Sequence, residues 1–133
     1  MPHLTVRLPP GAHLRPALAE LARAHQLRAA WIATCVGSLT DVHLRYADRA
    51  EGVRLGGPFE IVGLVGTFSV AGAHLHLAVA DGEGRVVGGH VLETGNRIYT
   101  TAEVVIGYSD EEAYTRVVDA ATGYRELVIR REM

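Results

Sequence analysis

After Leu27 the chain reads as a succession of alternating or wholly apolar segments divided by Gly- and Asp-bearing turns, and a single stretch before it has strong helical period. That imbalance restricts the fold more than any other feature. Ala30 to Val36 is apolar and bounded by Gly37-Ser38. Val42-His43-Leu44-Arg45-Tyr46 alternates and ends near Asp48. Phe59 to Val70, Ala73 to Ala80, Arg85 to Leu92 and Ile98 to Tyr108 follow, and Leu127-Val128-Ile129 reads as a last strand. Leu4-Thr5-Val6-Arg7-Leu8 alternates ahead of them and stops at Pro9-Pro10-Gly11.

The helical stretch runs from about His13 to Gln26. Leu14, Leu18 and Leu21 recur at spacings of four and three, with Ala17 and Ala22 on the same side. Pro16 fits the first turn, where its missing N–H is not needed. Glu111 to Ala121 is expected as a second short helix, with Ser109 or Asp110 as its N-cap. The fold class is therefore α+β: a largely antiparallel, bent β-sheet with one main N-terminal helix and a short second helix, in one domain over 1–133. The longest strand candidates exceed usual strand lengths, which predicts bends or bulges at Gly63, Gly66 or Gly88.

Composition closes off several classes. Hydrophobic residues at 48% and charged residues at 21% exclude a disordered or fibrous chain. No apolar run approaches the ~20 residues of a membrane helix, and the N-terminus lacks the layout of a secretory signal. Cys35 is the only cysteine, so no internal disulfide and no multi-cysteine zinc cage can form, and a cytoplasmic setting is expected. Thirteen basic against fifteen acidic residues give a net charge of −2, and every basic residue is arginine. DNA binding by bulk electrostatics is disfavoured by that balance. A local basic patch stays open, from Arg45, Arg49 and Arg54 or from Arg125, Arg130 and Arg131.

The chemistry concentrates in His74-Leu75-His76 and Gly88-Gly89-His90. In the first strand His74, His76, Ala78 and Ala80 share one face, and Leu75, Leu77 and Val79 the other. The leucine face belongs in the core, so both imidazoles project from the opposite side. Two residues along a strand separate Cα atoms by about 6.5–7 Å, close enough for both rings to converge on one metal. Whether His90 joins them depends on the turn after Ala80. A three-residue loop, Gly82-Glu83-Gly84, pairs Asp81 with Arg85 and sets His90 opposite His76 on the same face. A two-residue turn at Gly82-Glu83 sends His90 to the other face. Gly84 at the loop's end favours the first register. The competing reading is a solvated polar face whose histidines hydrogen-bond locally.

Taken in order, the motifs resemble a family. Gly37-Ser38-Leu39, Leu44-Arg45, Gly57-Pro58-Phe59-Glu60-Ile61 and Gly66-Thr67-Phe68-Ser69 are followed by His74-Leu75-His76 with Asp81, Gly88-Gly89-His90 and Thr100-Thr101-Ala102-Glu103. This series is similar to the plant-and-prokaryote-conserved (PPC) domain in its stand-alone prokaryotic form. The resemblance implies a homotrimer, with zinc or another divalent metal held at His74, His76 and His90. It also brings the family's label of predicted DNA-binding protein. The Arg-Gly-Arg-Pro hook that contacts DNA in plant members has no counterpart here. In the plant partner-binding segment, Gly-Arg-Phe-Glu-Ile-Leu, this chain carries Pro58 for Arg and Val62 for Leu, so that role is not carried over.

Among the remaining residues, Glu103 is a candidate acid or base near the metal. Glu60 is expected to pair with Arg45 across subunits. Ser38 reads as turn chemistry, Cys35 as a small buried hydrophobe, and His3, His13, His25 and His43 as surface or cap residues. The leading expectation is a homotrimeric binding or regulatory protein with a three-histidine metal site. The alternatives are a DNA-binding transcriptional regulator and a metal-dependent hydrolase or lyase using Glu103, for which the sequence names no substrate. No membrane partner is expected.

Overall fold

The computed structural model describes residues 2–132. Its elements are β1 (His3–Leu8), α1 (Leu14–Ala24), β2 (Ala30–Arg45), β3 (Gly52–Ser69), β4 (Gly72–Ala80), β5 (Val86–Val91), β6 (Ile98–Tyr108), β7 (Glu112–Val118) and β8 (Arg125–Arg131). The first six strands form one antiparallel sheet in the order β1-β6-β2-β3-β4-β5. The end of β2 also pairs with β5, Leu44 with Val91 and Arg45 with His90. Strands β2, β3, β4 and β5 therefore close on one another around a shared apolar interior.

Alternation explains that interior. Leu75, Leu77 and Val79 are 1%, 2% and 0% exposed, and they meet buried Leu39, Val42, Leu44, Leu64, Phe68 and Val91 in one cluster. Helix α1 adds Leu14, Leu18 and Ala22, all fully buried. Burying each of the two leucines contributes about 1.5–3 kcal/mol, which is what holds a short helix that has no side-chain cap at His13.

Length in the strands is accommodated by irregularity, as expected, although not at every expected glycine. Strand β2 runs through Gly37-Ser38 without ending and shifts register at three places, between Ile32 and Thr34, Gly37 and Leu39, and Leu39 and Asp41. Strand β3 shifts between Ile61 and Gly63, leaving Val62 as the extra residue. Gly88 stays in register, opposite Ala78.

The second helix is not present. Glu111 to Ala121 contains strand β7, paired along its whole length with β8, Tyr114 opposite Ile129 and Val118 opposite Arg125. The reason lies in side chains and turn chemistry. Tyr114, Thr115, Val117 and Val118 are aromatic or β-branched and suit a pleated surface better than a helix. Asp119 Oδ1 accepts the N–H groups of Ala121 and Thr122, and Gly123 at φ +77° closes the loop. The hairpin is fastened to the main sheet: Ser69 Oγ donates to the Tyr114 carbonyl at 2.9 Å, Tyr114 N–H donates to the Arg28 carbonyl at 2.7 Å, and Arg28 pairs with Glu132.

Candidate metal centre

The β4–β5 turn adopts the three-residue register. Asp81 N–H donates to the Arg85 carbonyl at 2.9 Å, Gly84 N–H donates to the Asp81 carbonyl at 3.0 Å, and Gly84 takes φ +81°. Asp81 Oδ1 accepts the N–H groups of Glu83 and Arg85. These bonds hold the Asp81 carboxyl below its ordinary range against a small opposing desolvation. The turn sets His76 and His90 as Cα partners.

Strand β5 reaches its place because Gly89 has no side chain. A Cβ there would lie 2.8 Å from the Arg45 carbonyl oxygen, so β5 can pair with β4 and β2 together only with glycine at that position. The result is three imidazoles facing one point. Ring centroids are 5.0 Å apart for His74 and His76, 5.5 Å for His74 and His90, and 5.9 Å for His76 and His90. One ligating nitrogen from each lies within 4.8 Å of the others. Tetrahedral zinc with bonds of about 2.0–2.1 Å needs nitrogens about 3.3 Å apart, a closure of roughly 1.5 Å that side-chain rotation supplies.

Burial first, then the guanidinium of Arg45 and the neighbouring imidazoles and Arg15, lower His90 to about 4. Burial, His76 and Arg116 also lower His74. Both rings are therefore neutral at pH 7 and keep a free lone pair.

Glu103 does not belong to this group. It lies on β6 opposite Arg7 and Val36, and β2 and β3 stand between it and the histidine strand β4, roughly 14 Å across the sheet at the usual strand spacing. Its charge acts instead on Cys35: burial and Glu103 together push that thiol up to about 11. Glu60 is exposed between Ser38 and Ala80, and among the described residues no cation of its own chain pairs with it. The Ser38 hydroxyl is bonded to Thr100 at 2.8 Å.

Sequence reading missed what surrounds the histidines. A cavity of about 610 Å³ is lined by His74 and His90 together with Arg15, Arg45, Arg116, Arg125, Asp48 and Glu126. Arg116, Arg125 and Glu126 arrive on the β7–β8 hairpin, which no local motif ties to the histidine strands.

Residues 1–110 match the Plants and Prokaryotes Conserved (PCC) domain, and the chain belongs to that family. The family fits the site's placement, since all three histidines lie inside the matched stretch. Of the curated proteins, the bifunctional protein GlmU of a Synechococcus strain is 46% identical over 126 residues, which are 95% of this chain and 20% of that protein. The chain thus spans about a fifth of the length of the curated relatives it matches. Among solved structures, a hypothetical protein of Salmonella enterica superposes with a TM-score of 0.96 at 43% identity, over 99% of this chain and 95% of that one. A Bacteroides thetaiotaomicron protein proposed to bind DNA gives 0.84 at 18% identity, over 95% and 91%, a likeness of fold alone. A metal-containing protein of Archaeoglobus fulgidus gives 0.79 at 26% identity, over 96% and 94%.

Proposed function

We propose that the chain is a homotrimeric binding and regulatory module that holds zinc or another divalent cation at His74, His76 and His90. The observation that carries this reading is the convergence of three ligating nitrogens within 4.8 Å of one another. Three protein ligands leave a fourth position open, which suits exchange of a bound group rather than a closed structural site. The metal-containing Archaeoglobus relative supports the same reading. Self-association is supported by apolar side chains left outside the core: Val36, Val62 and Val65 are 57%, 57% and 60% exposed, and Val65 is the Cα partner of His76. Glu60, uncompensated within one chain, is the partner of Arg45 on a neighbouring copy. The module works in the cytoplasm, where Cys35 stays reduced.

Elemental analysis of untagged protein tests the metal. About one zinc-group ion per chain is expected, lost in His90→Ala while the light-scattering mass stays that of a trimer. Metal-free protein from zinc-supplemented culture, or equal metal in His90→Ala, overturns the reading.

DNA regulation is the second reading, supported by exposed Arg125, Arg130 and Arg131 on β8, which symmetry would gather. Duplex binding that weakens steeply with added salt supports it, and no binding at low salt removes it. Within one chain Glu103 gives a hydrolytic role no base, because β2 and β3 separate it from the histidine strand.

A further inference from the structure

We propose that the cavity beside the three histidines takes a small organic dianion, clamped by Arg116 and Arg125 of the β7–β8 hairpin with one end at the open metal position. This rests on the metal reading above. The argument starts from which guanidinium groups are already committed. Arg15 is committed through all three nitrogens: Nη1 donates to the Val91 carbonyl at 3.1 Å, Nη2 to the Ala73 carbonyl at 3.3 Å, and Nε pairs with Glu93 at 3.2 Å. It ties the ends of β4 and β5 together and is wall, not clamp.

Arg116 and Arg125 differ. Arg116 Nη2 donates to Thr67 Oγ1 at 3.1 Å, and Arg125 Nη2 donates to the Arg116 carbonyl at 3.2 Å. Each guanidinium has five N–H donors, so most of each fork remains for a ligand. Among the described residues neither has a carboxylate within ion-pair distance, although both line the cavity. The single bond each makes orients its fork, which lowers the entropy lost when an anion docks. Arg45 also lines the cavity, donates to the Arg49 carbonyl at 3.4 Å, and has its charge taken up by the Glu60 pairing across copies, so it is not counted as a clamp.

Charge and size then set the ligand class. With Arg15 neutralised by Glu93, the two clamp guanidinium groups, Arg116 and Arg125, without an ion pair among the described residues, match two negative charges on a ligand. About 610 Å³ is the size of a small-metabolite site. Ala71, Gly72, Ala73 and Tyr124 supply apolar lining, which suits a carbon skeleton better than a bare inorganic ion. Phosphomonoesters and dicarboxylates share this chemistry, and planar guanidinium forks bind either head group through two parallel hydrogen bonds.

Calorimetric titration with inorganic phosphate, malonate and neutral glycerol, on zinc-loaded and chelator-stripped trimer, tests the proposal. Saturable binding of at least one anion and none of glycerol is expected, about tenfold or more weaker in Arg116→Gln and Arg125→Gln, with zinc content unchanged. The tighter anion identifies the head group. Arg116→Lys, which keeps the charge and removes the fork, is expected to weaken binding without loosening the hairpin. The proposal is overturned if neither anion binds up to about 10 mM, or if all three variants bind as the native chain does. Zinc uptake without arginine-dependent anion binding overturns this clamp and leaves the metal reading standing. Arginine-dependent binding in a protein that takes up no zinc leaves the clamp and removes the metal.

Discussion

His76 and His90 face each other directly across the β4–β5 ladder, one residue pair beyond Leu77 and Gly89. That opposition is fixed by a loop of three residues and nothing nearer, because strand register is inherited from the turn that sets it.

Removing one residue between the loop and His90 therefore tests the site without touching a histidine. Deletion of Val87 leaves Asp81 opposite Arg85, moves every later residue of β5 by one position along the ladder, and turns His90 to the opposite face. Metal content is expected to fall as far as in His90→Ala. Gly84→Ala keeps the register and strains only the backbone, since φ is +81° and nothing lies within 4 Å of an added Cβ. It is expected to cost about 1–2 kcal/mol of stability with metal retained. Full metal occupancy in the deletion variant contradicts the register argument.

Much of this was readable from the sequence, for physical reasons that differ by element. The β4 alternation of Leu75, Leu77 and Val79 against His74 and His76 has period two, and a strand buried on one face reports its orientation directly. Gly84 marked the loop because only a left-handed residue closes it comfortably. The β7–β8 hairpin was not readable as such: Glu111-Glu112-Ala113 suits a helix start, and only pairing with Arg125–Arg131 decides for a strand. The cavity arginines were hidden for the same reason, since Arg116 and Arg125 reach His74 through hairpin docking. Glu103 stood in the right motif series and yet three strands from the histidines, because motif order says nothing about the order of strands in the sheet.

Asn96 is the one fully buried amide side chain among the described residues, and no pattern announced it. Its Oδ1 accepts the His43 N–H at 2.8 Å, its Nδ2 donates to the His43 carbonyl at 3.0 Å, and its own φ is +54°. Asn96→Ala orphans the part-buried His43 N–H and forces a β-carbon into the left-handed region without the local bonding that asparagine offers. A loss of about 3 kcal/mol is expected in denaturant unfolding. Asn96→Gly removes the strain but not the lost bond, and is expected to be about 1 kcal/mol more stable than Asn96→Ala. Both variants within about 0.5 kcal/mol of the native chain would refute the clasp.

Acid stability has a definite sign at Asp41. Burial alone would raise this carboxyl, but hydrogen bonds from the Arg97 side chain, the Arg97 backbone and Thr40, all on Oδ1, outweigh it and lower the pKa. A carboxyl lower in the folded than in the unfolded chain stabilises the fold above its unfolded pKa of about 3.9 and loses that contribution as pH falls through the folded value. Asp41→Asn is therefore expected to lower the urea midpoint at pH 7 and to differ little from the native chain near pH 2. Protein concentration must be held fixed for an associating chain. A midpoint gap that is equal at both pH values shows that Asp41 acts through shape and not charge.

Cys35 offers a chemical readout of where Glu103 lies. Burial first, and then the Glu103 carboxylate, push the thiol up to about 11, so at pH 8 only about one molecule in a thousand carries the reactive thiolate. Alkylation by iodoacetamide is expected to be correspondingly slow, rising about tenfold per pH unit until the thiol titrates. Glu103→Gln removes the repulsion that disfavours the thiolate, so the same reaction should run faster at pH 8 while zinc content stays constant. If Glu103 instead acted at the histidines, the substitution would change metal affinity and leave the cysteine rate alone. The two rates and the metal content, measured on one pair of proteins, separate these placements.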